Sequence, residues 1–148
     1  MVTYFEQETP YTCGPACMRM VLSSLGIKKT EKQVTKLLGT NKIRGTNHRD
    51  FVSLAEKYKL RYSVNRDSSL DDLKYYLKKG YRIIVCYFHT IGREGHYAVI
   101  KSMNARKITL MDPIDGPSKV YSLSYFNQMW KSNKTYEGER SWFMAIKR

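Results

Sequence analysis

The stretch 82-RIIVCYFHTIGREGHYAVIKSMNARKITLMDP-113 decides the fold class. Arg82 to Phe88, His96 to Met103 and Lys107 to Met111 are rich in β-branched and aromatic residues and are bounded by turn formers, which is the pattern of strands. Asn104-Ala-Arg is a short turn, so His96 to Met111 reads as an antiparallel hairpin. Pairing across it puts residues whose numbers sum to about 208 or 210 opposite one another, which brings Asp112 close to His96. Ser141 to Lys147 (SWFMAIK) is a fourth strand-like run, and Ser122 to Lys131 before it has the apolar spacing of a short helix.

Upstream the period lengthens from two to nearly four. From Cys13 to Leu25 the residues Ala16, Cys17, Met20, Val21 and Leu25 recur at helical spacing, with Pro15 in the first turn and Gly26 as the stop. Thr30 with Gln33, Asn47 with Asp50 and Ser69 with Asp72 are three helix-start patterns. The helices they open have inner faces at Phe51, Leu54, Ala55 and Tyr58 in the second case and at Leu73, Tyr76 and Leu77 in the third. Helices first and an antiparallel sheet afterwards make an α+β domain. No repeat or Pro/Gly/Ser-rich linker divides residues 1–148, so one domain is expected.

Composition narrows the function classes. The longest apolar run, Ile83 to Phe88, is far short of the roughly 20 residues a membrane-spanning helix needs, so no membrane insertion is expected. The N-terminal residues show neither the basic-then-apolar order of a signal peptide nor a transit sequence. Three cysteines give no disulfide framework, which points to a reducing, cytoplasmic setting. The net charge is +13, and +8 of it lies between Lys28 and Arg66. That stretch is either a solvated lysine-rich face or a footprint for nucleic acid or an acidic partner, and it lacks the zinc spacing and glycine-aromatic patterns of a nucleic-acid module.

The chemistry concentrates in 7-QETPYTCGPA-16. Cys13 stands where a loop becomes a helix, and the unpaired amide groups and dipoles of a helix start stabilise a thiolate. Gly14-Pro15 leaves backbone room beside the sulfur. A cysteine nucleophile needs a base, and His96, at the head of a strand, can project from the sheet end into a cleft; His48 and His89 read as surface residues. Asp112, just before Pro113, is either placed to orient the His96 ring or is an Asp-Pro turn starter. Tyr97, Trp130 and Trp142, with Tyr11, read as packing aromatics, and Cys17 and Cys86 as small buried residues.

Gln7, Cys13-Gly14-Pro15-Ala16, Gly95-His96-Tyr97-Ala98-Val99 and Asp112-Pro113, in this order, resemble the C39 peptidase family. These are papain-like cysteine proteases that remove double-glycine leaders in bacteriocin-exporting transporters. The resemblance runs over nearly the whole chain. It implies a papain-like fold, with an N-terminal helical half packed on a C-terminal antiparallel sheet. It also implies a Cys13/His96/Asp112 triad and an oxyanion hole made by the Gln7 side-chain amide and the Cys13 backbone N–H. It calls for no cofactor and no metal, and for a peptide or protein substrate in a bacterial cytoplasm. Two departures stand out: no transporter span and no ATPase phosphate loop accompany the domain, and Thr12 precedes the cysteine where many members carry Asp. Papain-like sites also run deamidation and transpeptidation, and a basic binding module without catalysis is the reading from another class. None of these motifs encodes an oligomeric state.

Overall fold

The computed structural model describes residues 2–135 and 137–148. Six strands form one antiparallel sheet: β1 (Arg61–Asn65), β2 (Arg82–His89), β3 (Glu94–Met103), β4 (Lys107–Asp112), β5 (Gly116–Ser122) and β6 (Phe143–Lys147). Their order across the sheet is β1-β6-β2-β3-β4-β5, so the last strand runs between the first and the second. Five helices accompany them: α1 (Cys13–Ser24), α2 (Glu31–Leu38), α3 (His48–Lys57), α4 (Leu70–Lys78) and α5 (Leu123–Trp130).

The helix boundaries follow the side-chain chemistry read from the sequence. At α2, Gln33 N–H donates to Thr30 Oγ1 and Thr30 N–H donates to Gln33 Oε1, at 3.1 and 2.9 Å. A reciprocal pair of the same kind joins Ser69 to Asp72 at the start of α4, while at α3 the Asn47 N–H donates to Asp50 Oδ2 at 2.8 Å and the Asp50 N–H donates to the Asn47 backbone carbonyl at 3.0 Å. Each satisfies two amide groups that the helix itself cannot, an effect of about 1 kcal/mol per cap. Gly39 closes α2 with a φ of 70°, a backbone state that side chains rarely adopt.

Strand alternation divides the core in two. Ile84, Cys86, Tyr97, Val99, Met111, Met144 and Ile146 face Cys17, Val21, Leu38, Phe51 and Leu54 of α1, α2 and α3. Ile83, Val85, Tyr87, Ala98, Ile100, Leu110 and Phe143 face the other way, toward Leu73 of α4 and Phe126 and Trp130 of α5. The helical half therefore packs on the sheet as expected for α1 to α3. The fourth helix instead joins α5 on the opposite face, and β1, from that half, becomes an edge strand of the sheet. Trp130 and Trp142 are fully buried, and Trp130 Nε1–H donates to the Trp142 carbonyl at 2.9 Å.

The hairpin register differs from a simple fold-back. Val99 faces Met111 and Ile100 faces Leu110, after which a bulge at Lys101 shifts the pairing to Ser102 with Thr109 and Met103 with Ile108. Continued to the strand end, the Val99–Met111 register sets Asp112 across from Ala98, two residues beyond His96 on the same face. The contact between Asp112 and His96 is accordingly diagonal rather than direct.

Candidate active site

Gln7, Cys13 and His96 line one cleft between the start of α1 and the head of β3. Thr12 sits at the N-cap of α1 but does not cap the helix with its side chain. Pro15 has no N–H, so the donors of the first turn are those of Cys13 and Gly14, beside the cysteine sulfur. Gly14 is needed for a close approach: a Cβ there would lie 2.6 to 2.9 Å from the side-chain atoms of Thr46. The room beside Cys13 is thus filled by the 40–46 loop, where Thr46 Oγ1 pairs with Thr40 Oγ1 at 2.7 Å.

His96 is 1% exposed, and its Nε2 lies 2.7 Å from Asp112 Oδ1. The other ring nitrogen is the one left for Cys13, which lines the same cleft. Asp112 is fully buried and its carboxylate is saturated. Oδ1 also accepts the N–H groups of Ile114 and Asp115 at 2.9 and 3.1 Å, and Oδ2 accepts the Tyr87 hydroxyl in a short bond. Burial alone drives His96 toward the neutral form, but the hydrogen bond to Asp112 and the nearby Cys13 outweigh it and raise the pKa of the imidazole well above its usual range. Burial likewise works against the Asp112 carboxylate, and the His96 and Tyr87 bonds override it and hold its pKa low. A buried imidazolium facing a carboxylate on one side and a thiol on the other results.

Gln7 reaches the cleft on the irregular segment before α1. Its backbone N–H donates to the Pro113 carbonyl at 3.0 Å, and Tyr4 Oη–H donates to the Asp112 carbonyl at 2.7 Å. Two bonds therefore stitch this segment to the Asp112-Pro113 turn. The Gln7 side-chain Nε2 donates to the Thr9 carbonyl at 2.7 Å, while Oε1 is buried with no partner among the described residues.

All four residues singled out in the sequence thus gather at one place. Several of their neighbours were not anticipated. Tyr87 and His89 alternate with Val85 on β2, so they share the face of His96; the strand pattern carried that face, but only the β2–β3 register places Tyr87 opposite His96. His48 and His89 are not surface residues. His48 is 4% exposed, stacks on Trp142 at 4.0 Å between ring centroids and lies 2.7 Å from the Tyr97 hydroxyl. Burial, aided by the Arg66 charge, pushes its pKa down to about 4. His89 is buried against His96, its Nδ1 accepts the Gly92 N–H at 2.9 Å and its Nε2 lies 2.8 Å from Asp115 Oδ2.

Part of the basic stretch is spent on pairs within the chain. Arg44 pairs with Asp50 at 2.7 Å, Arg66 with Glu139 at 2.8 Å, and Arg61 donates to the Arg148 carbonyl. Its 42–46 segment also forms one wall of the cleft, with Lys42 and the almost fully exposed Ile43 at the rim. Tyr11 is another wall residue, whereas Tyr97 is packed beneath.

The Peptidase C39 family matches this sequence over residues 1–135. The chain belongs to the peptidase C39 family. C39 peptidase domains of known structure share its architecture. The peptidase domain of Streptococcus ComA, a bifunctional ABC transporter involved in quorum sensing, superposes with a TM-score of 0.79 at 19% identity, covering 99% of this chain and 98% of that one. A putative C39-like peptidase from Bacillus anthracis gives 0.80 at 15% identity over 99% and 94%. A double-glycine motif protease from an AMS/PCAT transporter, solved with its leader peptide, gives 0.71 at 21% identity over 99% and 91%. Uncharacterised proteins of two archaea are similar in sequence. One, from Methanothermobacter thermautotrophicus, is 34% identical over 110 residues, covering 74% of this chain and 70% of that protein. The other, from Methanothermobacter marburgensis, is 29% identical over 115 residues, covering 78% and 74%. Among the described residues no helix is long and apolar enough to cross a membrane.

Proposed function

We propose that this C39 chain is a cytoplasmic cysteine peptidase, acting as one domain across residues 1–148, that cleaves peptide bonds in a leader or other peptide substrate. The observation that carries this reading is the gathering of Cys13, His96 and Gln7 along one cleft, with His96 hydrogen-bonded behind it to the buried Asp112. In it Cys13 is the nucleophile, and the protonated His96 stabilises its thiolate form. Attack on the substrate carbonyl forms a C–S bond and puts negative charge on the carbonyl oxygen. The Cys13 backbone N–H and the Gln7 side-chain amide receive that charge; the amide carries two protons, and only one is taken by the Thr9 carbonyl. When the C–N bond breaks, His96 gives its proton to the departing amine. Water then adds to the thioester with His96 as base, releasing the acid and restoring the thiol. Asp112 holds the ring so that one nitrogen faces Cys13 and balances its charge.

The test is a digest of an unbiased peptide library by wild type and Cys13→Ala, read by mass spectrometry, beside labelling with an electrophilic peptide probe. Cleavage and a probe adduct on Cys13 are expected from the wild type alone. Labelling that persists in Cys13→Ala would refute the assignment. A gain of about 1 Da on a substrate glutamine, without chain cleavage, would transfer the same residues to deamidation.

A further inference from the structure

Glu31 opens α2, yet its carboxylate is turned into the protein and the residue is 2% exposed, while the adjacent Lys32 and Gln33 face solvent. Its Oε2 accepts two bonds from the loop that leads to Cys13: the Glu8 N–H at 2.8 Å and the Thr12 hydroxyl at 2.9 Å. Thr12 Oγ1 passes the restraint on, accepting the Thr9 N–H at 3.2 Å and lying 2.8 Å from Thr9 Oγ1. The Thr9 carbonyl then receives the Gln7 side-chain amide at 2.7 Å. Four residues of the 7–12 loop are thus wound around one buried carboxylate, with Gln7 at one end and Cys13 next to the other. Burying a carboxylate is costly unless it is well paired, and the other oxygen of Glu31 has no partner among the described residues. A helix N-terminus gains from an acidic residue just as well when the side chain stays in water, so stability of α2 does not require this burial. Burial also pushes the Glu31 pKa up, as expected for a carboxylate kept inside mainly to anchor a loop.

We infer that Glu31 is a positioning residue that, through Thr12 and Thr9, fixes the Gln7 amide and the backbone at Cys13 in the geometry an oxyanion requires. This rests on the oxyanion role given to Gln7 above. The experiment is a double-mutant cycle with a fluorogenic peptide substrate: wild type, Glu31→Ala, Gln7→Ala and the pair, with the side-chain amide of Gln7 followed in 1H–15N spectra. Loss of an oxyanion donor costs about 100- to 1,000-fold in kcat, so Glu31→Ala, which loosens rather than removes one, should cost about 10- to 100-fold in kcat with KM little changed. In the Gln7→Ala background the same substitution should cost less than about threefold. Glu31→Gln, whose Oε1 still accepts both bonds, should recover most of the activity, and Thr12→Val should reproduce the loss if Glu31→Ala fails to fold. Equal losses in both backgrounds would reduce Glu31 to a purely structural residue and overturn the inference. The spectra decide independently of catalysis: the two Gln7 amide protons, one held on Thr9, should be distinct and protected in the wild type and average toward solvent values in Glu31→Ala. Unchanged Gln7 resonances would overturn the inference even if the peptide is cleaved, and a wild type that cleaves nothing would sink the peptidase reading while leaving this readout valid.

Discussion

Replacing Asp112 by Asn keeps the shape of the side chain and removes its charge, which isolates the electrostatic part of the site. Asp112 accepts from His96, Ile114, Asp115 and Tyr87 with no exposure to solvent. An Asn can keep its oxygen toward His96 and the two backbone amides, but its NH2 then meets the Tyr87 hydroxyl, which has been a donor and must become an acceptor. The charge lost is the one that helps lift His96 from 6.5 to about 10 in the face of burial. A climb of that size corresponds to roughly 4 to 5 kcal/mol at about 1.4 kcal/mol per tenfold change in proton affinity. Removing one partner of a buried ion pair costs about 3 to 5 kcal/mol by independent reasoning, and since Asn retains part of the bonding we expect about 3 kcal/mol at pH 7.

The pH dependence carries the sign. His96 binds its proton more tightly in the folded protein, so its contribution is complete below pH 6.5 and is lost as pH rises toward about 10. Asp112 binds its proton less tightly when folded, so its contribution is present above about pH 4 and is lost as pH falls toward 2. Urea unfolding of wild type and Asp112→Asn between pH 4 and 10 should show the gap widest between about pH 4 and 6.5 and closing toward alkaline pH. NMR titration should find the His96 ring protonated at pH 7 in the wild type and neutral in the variant. An ordinary His96 titration in the wild type, or a stability gap that does not change with pH, would refute the account of this pair.

Three further substitutions probe the surroundings of the site. Gly14→Ala would force a methyl into the Thr46 side chain and should lower stability by about 1 to 3 kcal/mol, seen as a lower melting temperature; Thr46→Ala in the same chain should recover part of it. His89→Ala removes the partner of Asp115, whose N–H supports Asp112 Oδ1, and should cost about 1 to 3 kcal/mol in urea titration and reduce kcat more than it alters KM. Ile43→Ser, at a position 98% exposed on the cleft rim, should leave stability within about 0.5 kcal/mol but raise KM for peptide substrates, and an unchanged KM would remove the 41–45 turn from the substrate path.

Much of this architecture was legible in the sequence because local signals and tertiary demands agree. The Thr30, Asn47 and Ser69 caps mark helix starts by their own chemistry, and the change of apolar spacing near Tyr81 separates helices from sheet. Two strands escaped for a physical reason. β1 and β5 are half-exposed edge strands, and short segments such as Arg61–Asn65 become strands only because a distant partner offers its backbone. The Gln7, Cys13, His96 and Asp112 set was visible as spaced motifs, while Tyr87, His89 and Glu31 were not. Each of those depends on register or on a contact between elements: Tyr87 on facing His96 across two strands, Glu31 on α2 lying beside the 8–12 loop. The histidines show the same limit, since burial of His48 arises from a stack on Trp142, 94 residues away in the chain, which no local pattern announces.

The position of β6 has a consequence for biogenesis. Because Phe143–Lys147 hydrogen-bonds to β1 on one side and β2 on the other, it joins β1 to the rest of the sheet. On a ribosome that delivers the chain from its N-terminus, β2 to β5 can pair as hairpins while β2 keeps an open edge rich in Ile and Val, waiting for a strand made last. Until residues 143–147 emerge, this apolar edge of the nascent molecule stays unpaired, and substitutions such as Ala145→Pro should lower its soluble yield in translation more than any change at the cleft.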